Sequence, residues 1–103
     1  QKGGNGGVNG LINFLSVGAE NAITAKELSN LLNTNVRNIT LEINSLRKRG
    51  IIICSKANGY FFPADEVDVV EFCRRTNSRI RDIKSIIKPA EKFLREVNIN
   101  VDV

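Results

Sequence analysis

Nine positions near the end of this 103-residue chain, Val69, Cys73, Thr76, Ile80, Ile83, Ile87, Ala90, Leu94 and Val97, follow one another in alternating steps of four and three. Only Thr76 among them is polar. The mean step of 3.5 residues keeps one apolar seam of a helix facing another helix. A helix from Asp65 to Val97 would be about 50 Å long at 1.5 Å per residue, longer than a domain of this size is wide. Much of its stripe would stay wet in a lone chain. A homodimer is therefore expected, with Val69, Cys73, Ile80, Ile83, Ile87, Ala90 and Leu94 as dimerisation contacts. Pro89 keeps a second arrangement open. Its ring crowds the preceding turn and removes a donor, so the helix either kinks there or ends, and a second helix starts with Pro89 at its first position and folds back.

Upstream, short apolar segments alternate with polar links. Leu11, Ile12, Phe14 and Leu15 make a short helical face that Gly18 would end. Thr24-Ala25-Lys26-Glu27 has the form of a capping box and should open a second helix with Leu28, Leu31 and Leu32 inward. A third helix should begin at Asn35 or Thr34, run to about Arg49 and stop at Gly50, with Val36, Ile39, Ile43 and Leu46 on its apolar face. The polar link Asn33-Thr34 marks a helix-turn-helix. Ile51-Ile52-Ile53-Cys54 and Tyr60-Phe61-Phe62 then flank Lys56-Ala57-Asn58-Gly59. Asn58-Gly59 signals a type I′ hairpin, whose two central residues need positive φ. Tyr60 and Phe62 are expected to pack in the core.

The chain divides on this basis into a flexible Gly-rich tail (1–10), a winged helix-turn-helix domain (11–63), a C-terminal helical dimerisation region (64–97) and a tail (98–103). The alternation in the last segment, NINVDV, is too short to assign. The expected class is mainly α with a small β-hairpin, a winged helix-turn-helix followed by a long C-terminal helix, kinked at Pro89 or folded back there.

Charge is distributed unevenly. The formal net charge is +4. Residues 1–64 hold seven Lys/Arg against three Asp/Glu, a net of +4, whereas residues 65–103 hold eight of each. The excess sits with the helix-turn-helix, as a polyanion partner would favour. Arg74, Arg75, Arg79 and Arg81 lie among acidic residues and read as ion-paired helix surface, Glu71–Arg75 being an i,i+4 pair. There is no His, and the two Cys lack CxxC spacing. GGNGG has neither a preceding strand nor a following Lys. No enzymatic activity, metal site or cofactor is expected. Cys54 and Cys73 should be reduced, buried thiols. No apolar run approaches the roughly 20 residues of a membrane span, and no signal-peptide pattern is visible. A cytoplasmic protein without a membrane partner is the expectation.

The run Ile23-Thr24-Ala25-Lys26-Glu27-Leu28, then Leu31, Val36-Arg37-Asn38-Ile39, Glu42-Ile43, Leu46-Arg47, Gly50-Ile51 and Asn58-Gly59-Tyr60-Phe61, resembles winged helix-turn-helix domains of the biotin-repressor-like type. Over roughly residues 11–95 the chain looks most like small stand-alone DNA-binding proteins of prophages and mobile elements in Gram-positive bacteria. In those a Pro, an acidic patch and an Arg-rich helix follow the wing, much as Pro63-Ala64-Asp65-Glu66 and Arg74-Arg75 do here. No biotin-ligase catalytic region is among these residues, so ligase activity is not carried over. The resemblance implies binding to double-stranded DNA and transcriptional regulation.

In such a fold the third helix enters the major groove. Arg37 would offer bidentate donors to guanine, Asn35 or Asn38 would pair with adenine, Thr40 and Leu41 would meet a thymine methyl, and Asn44 lies one turn on. Thr24 and Lys26 at the second helix, Lys48, and Lys56 and Asn58 at the wing are the expected phosphate and minor-groove contacts. Arg47 and Arg49 fall at the edge of that surface. A small-molecule effector is left open. Two further readings remain: a protein-protein interaction module on the same scaffold, since fold alone does not fix function, and a phage replication or recombination accessory factor.

Overall fold

A computed structural model describes residues 10–97, so all of the expected 1–10 tail but Gly10, and the 98–103 tail, lie outside the described residues. The fold is mainly helical with one small hairpin and a long C-terminal helix. Helix α1 spans Ala25–Leu31, α2 Val36–Lys48, strands β1 and β2 Cys54–Lys56 and Gly59–Phe61, and α3 Glu66–Glu96. By their internal contacts the residues fall into two units, Gln1–Phe72 and Cys73–Val103, and the first turns of α3 belong to the former.

The expected first helix is a 3₁₀ turn over Leu11–Phe14, entered through Gly10 at φ 82 and left through extended Leu15. Four residues are too few to offset α-helix nucleation. Leu11 and Leu15 are buried, whereas Ile12 and Phe14 are exposed. Gly18 does not end this turn. At φ 96 it precedes a second 3₁₀ turn, Ala19–Asn21.

Helix α1 starts as the sequence indicates. The Thr24 hydroxyl accepts from Glu27 N, and the Glu27 carboxylate accepts from Thr24 N at 2.9 Å. Its C-terminus closes through Asn33 at φ 55. Thr34 N donates to Ser29 O and Asn33 N to Asn30 O, the paired bonds of a Schellman motif with Asn in the left-handed position. Leu28, buried Ser29 and half-buried Leu32 define the inner face, which leaves Leu31 turned out at 57% exposure rather than inward.

Helix α2 repeats this grammar. Asn35 caps it by accepting from Asn38 N at 2.8 Å. Gly50, at φ 96, ends it with Gly50 N to Arg47 O and Ile51 N to Leu46 O, a second Schellman motif. Ile39, Ile43 and Leu46 join Leu11, Leu15, Leu28 and Ile53 in one core. Each such side chain stabilises the fold by about 1.5–3 kcal/mol. Val36, expected on that face, is exposed. It lies in the first turn, beyond the reach of the core.

The hairpin pairs Cys54 with Phe61, Ser55 with Tyr60 and Lys56 with Gly59. Its loop is therefore Ala57-Asn58, neither with positive φ, and not Asn58-Gly59. Gly59 serves another end. An added Cβ there would lie 2.2 Å from the Ile23 carbonyl oxygen. That close approach lets β2 bond Ile23 in both directions, Tyr60 N to Ile23 O and Ile23 N to Tyr60 O. Residues 16–18 bracket Phe62 in turn, through Phe62 N to Ser16 O and Gly18 N to Phe62 O. With this register Phe61 is fully buried, which the sequence did not indicate, while Tyr60 and Phe62 are half-buried and pack against the core as expected.

Helix α3 is one helix with Pro89 inside it, so the chain does not fold back at that residue. None of its side chains is fully buried. Val69, in the first unit, is half-buried; in the second unit Cys73, Ile80, Ile83, Ile87 and Ala90 are exposed and Leu94 is half-buried. Cys73 was expected to be buried; only Cys54 is, and the two form no disulfide. Glu71 pairs with Lys56 at 3.9 Å. Among the described residues, no helix is long and apolar enough to cross a membrane.

Candidate functional site

On α2, Arg37, Leu41, Asn44 and Lys48 recur at steps of four, three and four. At 3.6 residues per turn they lie along one line, on the side opposite Ile39, Ile43 and Leu46. All four are exposed, and Thr40 flanks the line. Burial of the opposite face therefore dictates which side chains this surface presents. Leu41, 51% exposed, is a large apolar residue set between an arginine and an amide. Ser45, one turn beyond Leu41, is exposed beside it and adds a hydroxyl that sequence reasoning missed; its i+4 spacing from Leu41 was the available signal.

The amides at the start of α2 are less available than the sequence suggests. Asn35 spends its side-chain oxygen on the cap. Asn38 is half-buried and donates through Nδ2 to Thr34 Oγ1 at 2.9 Å. Thr40 turns its hydroxyl back to Val36 O at 3.1 Å, which leaves its methyl outermost. Arg37 and Asn44 keep their polar ends toward solvent.

Of the supporting residues, Thr24 is committed to its capping box, where its hydroxyl also donates to Glu27 Oε1 at 3.1 Å. The Thr24 backbone N–H, and then its hydroxyl, hold the Glu27 carboxyl below the usual glutamate range. A carboxylate thus already occupies the α1 N-terminus that was expected to attract phosphate. Lys26 is exposed one residue away. At the hairpin, Asn58 donates to Ala19 O at 2.9 Å, so its side chain ties the loop to the preceding turn. Lys56 is exposed and shares its charge with Glu71.

The basic run Arg47-Lys48-Arg49 is not one surface. Arg47 is half-buried, with Nε donating to Ile53 O at 2.9 Å and Nη2 to Ser55 Oγ at 3.3 Å. Its guanidinium lies 4.8 Å from the Phe72 ring centre and 5.7 Å from that of Tyr60. It is a bracket joining α2, the hairpin and the first turns of α3. Arg49 approaches Glu42 at 3.9 Å. Among the described residues, Lys26, Arg37 and Lys48 take part in no ion pair.

A scan against protein-family profiles, a search of curated proteins and a search of solved structures each found no match.

Proposed function

We propose that this chain is a winged helix-turn-helix protein of the biotin-repressor-like kind that binds double-stranded DNA as a homodimer and regulates transcription, in a prophage or mobile-element setting. The observation that carries the reading is the exposed line Arg37-Leu41-Asn44-Lys48 on α2, opposite the core and without a carboxylate partner. In the major groove Arg37 offers guanine a two-pronged donor, Leu41 and the Thr40 methyl meet thymine methyls, and Asn44 reads an adjacent edge. Lys26 and Lys48 neutralise phosphates, which set register without carrying sequence information. The hairpin loop at Ala57-Asn58 forms the wing.

Fluorescence anisotropy on a random duplex of about 30 base pairs, at about 50 and about 200 mM salt, tests this. Lys26 and Lys48 from each of two copies would release counterions from roughly four phosphates, so affinity should fall by about two decades across that range. Arg37→Ala should then weaken a selected site more than a random duplex. Absence of binding at the lower salt refutes the reading.

One observation favours a protein-interaction surface instead. Leu31 at the end of α1 and Val36 and Leu41 on α2 are all exposed, while Thr24, Asn35 and Asn38 are engaged in local hydrogen bonds. The same titration separates the two, because phosphate contacts act on any DNA sequence.

A further inference from the structure

The apolar stripe of α3 calls for a partner helix, and the positions beside the stripe decide its direction. We propose that α3 pairs with α3 of a second copy in antiparallel orientation over Ile80–Val97. This rests on the homodimer of the proposed function and adds its geometry. The segment lies within one continuous helix, with Pro89 on the side away from the stripe.

The seam here consists of Ile80, Ile83, Ile87, Ala90, Leu94 and Val97. When two such helices run antiparallel about the level of Lys88 and Pro89, Ile80 lies level with the partner's Val97. Ile83 then meets the partner's Leu94, and Ile87 meets the partner's Ala90. The smallest seam residue faces a large one, so no layer pairs two small side chains, as close packing favours. A parallel, in-register pair stacks Ala90 on the partner's Ala90 and leaves a void between layers of Ile and Leu.

The flanks carry the argument further. On one side of the seam stand Ile86 and Phe93, the two most exposed large apolar residues described, at 74% and 62%. On the other stand Lys84 and Glu91. An antiparallel pair sets like flank against like flank. Ile86 covers the partner's Phe93 on one side, and Lys84 meets the partner's Glu91 on the other, each twice by symmetry. A parallel pair sets unlike flanks together. Ile86 would face the partner's Glu91, and Arg79 would face the partner's Lys84, a like-charge contact made twice. Neither Lys84, Glu91 nor Arg79 has an ion-pair partner in its own chain among the described residues. Sliding the antiparallel pair by one heptad opposes Lys84 to the partner's Lys84 and packs polar Thr76 on the partner's Leu94, so charge and polarity select the stated register.

The full chain contains its own probe. Cys73 is exposed and belongs to the same stripe. In a parallel pair the two Cys73 thiols are neighbours; in the antiparallel pair they are about 46 Å apart at 1.5 Å per residue. The experiment is sedimentation of the wild type, followed by oxidation with copper–phenanthroline and a non-reducing gel. The proposal expects a sedimenting dimer that forms no covalent dimer. It further expects Cys73→Ser/Lys84→Cys/Glu91→Cys to convert mostly to covalent dimer, and Cys73→Ser/Lys84→Cys not to. A wild-type dimer that crosslinks through Cys73 overturns the antiparallel pairing while leaving the homodimer intact. Crosslinking by Lys84→Cys without Glu91→Cys overturns this register. A monomer at all concentrations removes the homodimer as well, and DNA binding is then judged by the anisotropy titration alone.

Discussion

Arg47 is the residue whose replacement most directly separates architecture from recognition. Its place in a basic run puts it at the edge of the proposed DNA surface, yet its guanidinium is spent inside the domain. Its Nε bond to Ile53 O, at 2.9 Å, is a well-formed charge-assisted hydrogen bond, and the Nη2 contact to Ser55 Oγ, at 3.3 Å, is a weaker one. Together they contribute about 1.5–2 kcal/mol. Stacking near Phe72 and Tyr60 adds roughly 0.5–1 kcal/mol for each ring at this partial burial. Arg47→Ala should therefore cost about 2–4 kcal/mol. Arg47→Lys is the sharper variant, because it keeps the charge but has neither the planar fork nor the stacking surface. It should cost most of the same amount. Urea unfolding followed by circular dichroism reads this directly. With a slope near 1 kcal/mol/M for so small a domain, the midpoint should move down by about 2–4 M. If Arg47→Lys unfolds within about 0.5 kcal/mol of the wild type, the bracket contributes little, and the assignment of Arg47 to structure is wrong. A DNA titration at low temperature, with the variant folded, should show near-normal affinity.

Gly59→Ala should be among the most destabilising single substitutions, by more than about 3 kcal/mol, since its Cβ would strike the Ile23 carbonyl at a φ of 123; thermal melts check it, and a stable variant would disprove the close approach. Gly50→Ala meets no atom within 4 Å, so only its φ of 96 opposes it, and a milder cost of about 1 kcal/mol is expected in the same melts. Glu27, whose carboxyl titrates below its ordinary range, should stabilise the fold fully above the pH range of an unfolded-chain glutamate and lose that contribution as pH falls through its folded value. Unfolding of Glu27→Gln as a function of pH should show a smaller loss of stability on acidification than wild type, and parallel pH curves would rule the linkage out. Pro89→Ala should raise helix stability by up to about 3 kcal/mol without disturbing the α3 seam, read as increased helical circular dichroism at high temperature; an unchanged melt would mean the turn before Pro89 is already relaxed.

Much of the fold is legible in the chain because its signals are local. The Thr24–Glu27 capping box, the Asn35 cap, the Gly50 stop and the long α3 each depend on residues within a few positions of one another, and each is present. The α2 surface is legible for the same reason: once Ile39, Ile43 and Leu46 face inward, 3.6 residues per turn sends Arg37, Leu41, Asn44 and Lys48 outward. Tertiary structure decided what hinges on pairing between distant segments. A one-residue difference in hairpin register exchanges the two faces of a strand, and only the bonds from β2 to Ile23 and to residues 16–18 choose the register that buries Phe61. Leu31 and Leu32 are equally apolar in sequence, and the angle at which α1 meets the core turns one outward. Arg47 differs from Lys48 and Arg49 because Ile53, Ser55 and Phe72 come within its reach when the hairpin and the first turns of α3 close on that end of α2. Sequence determines which groups a helix offers along its length; packing determines which of them are consumed inside and which remain for a partner.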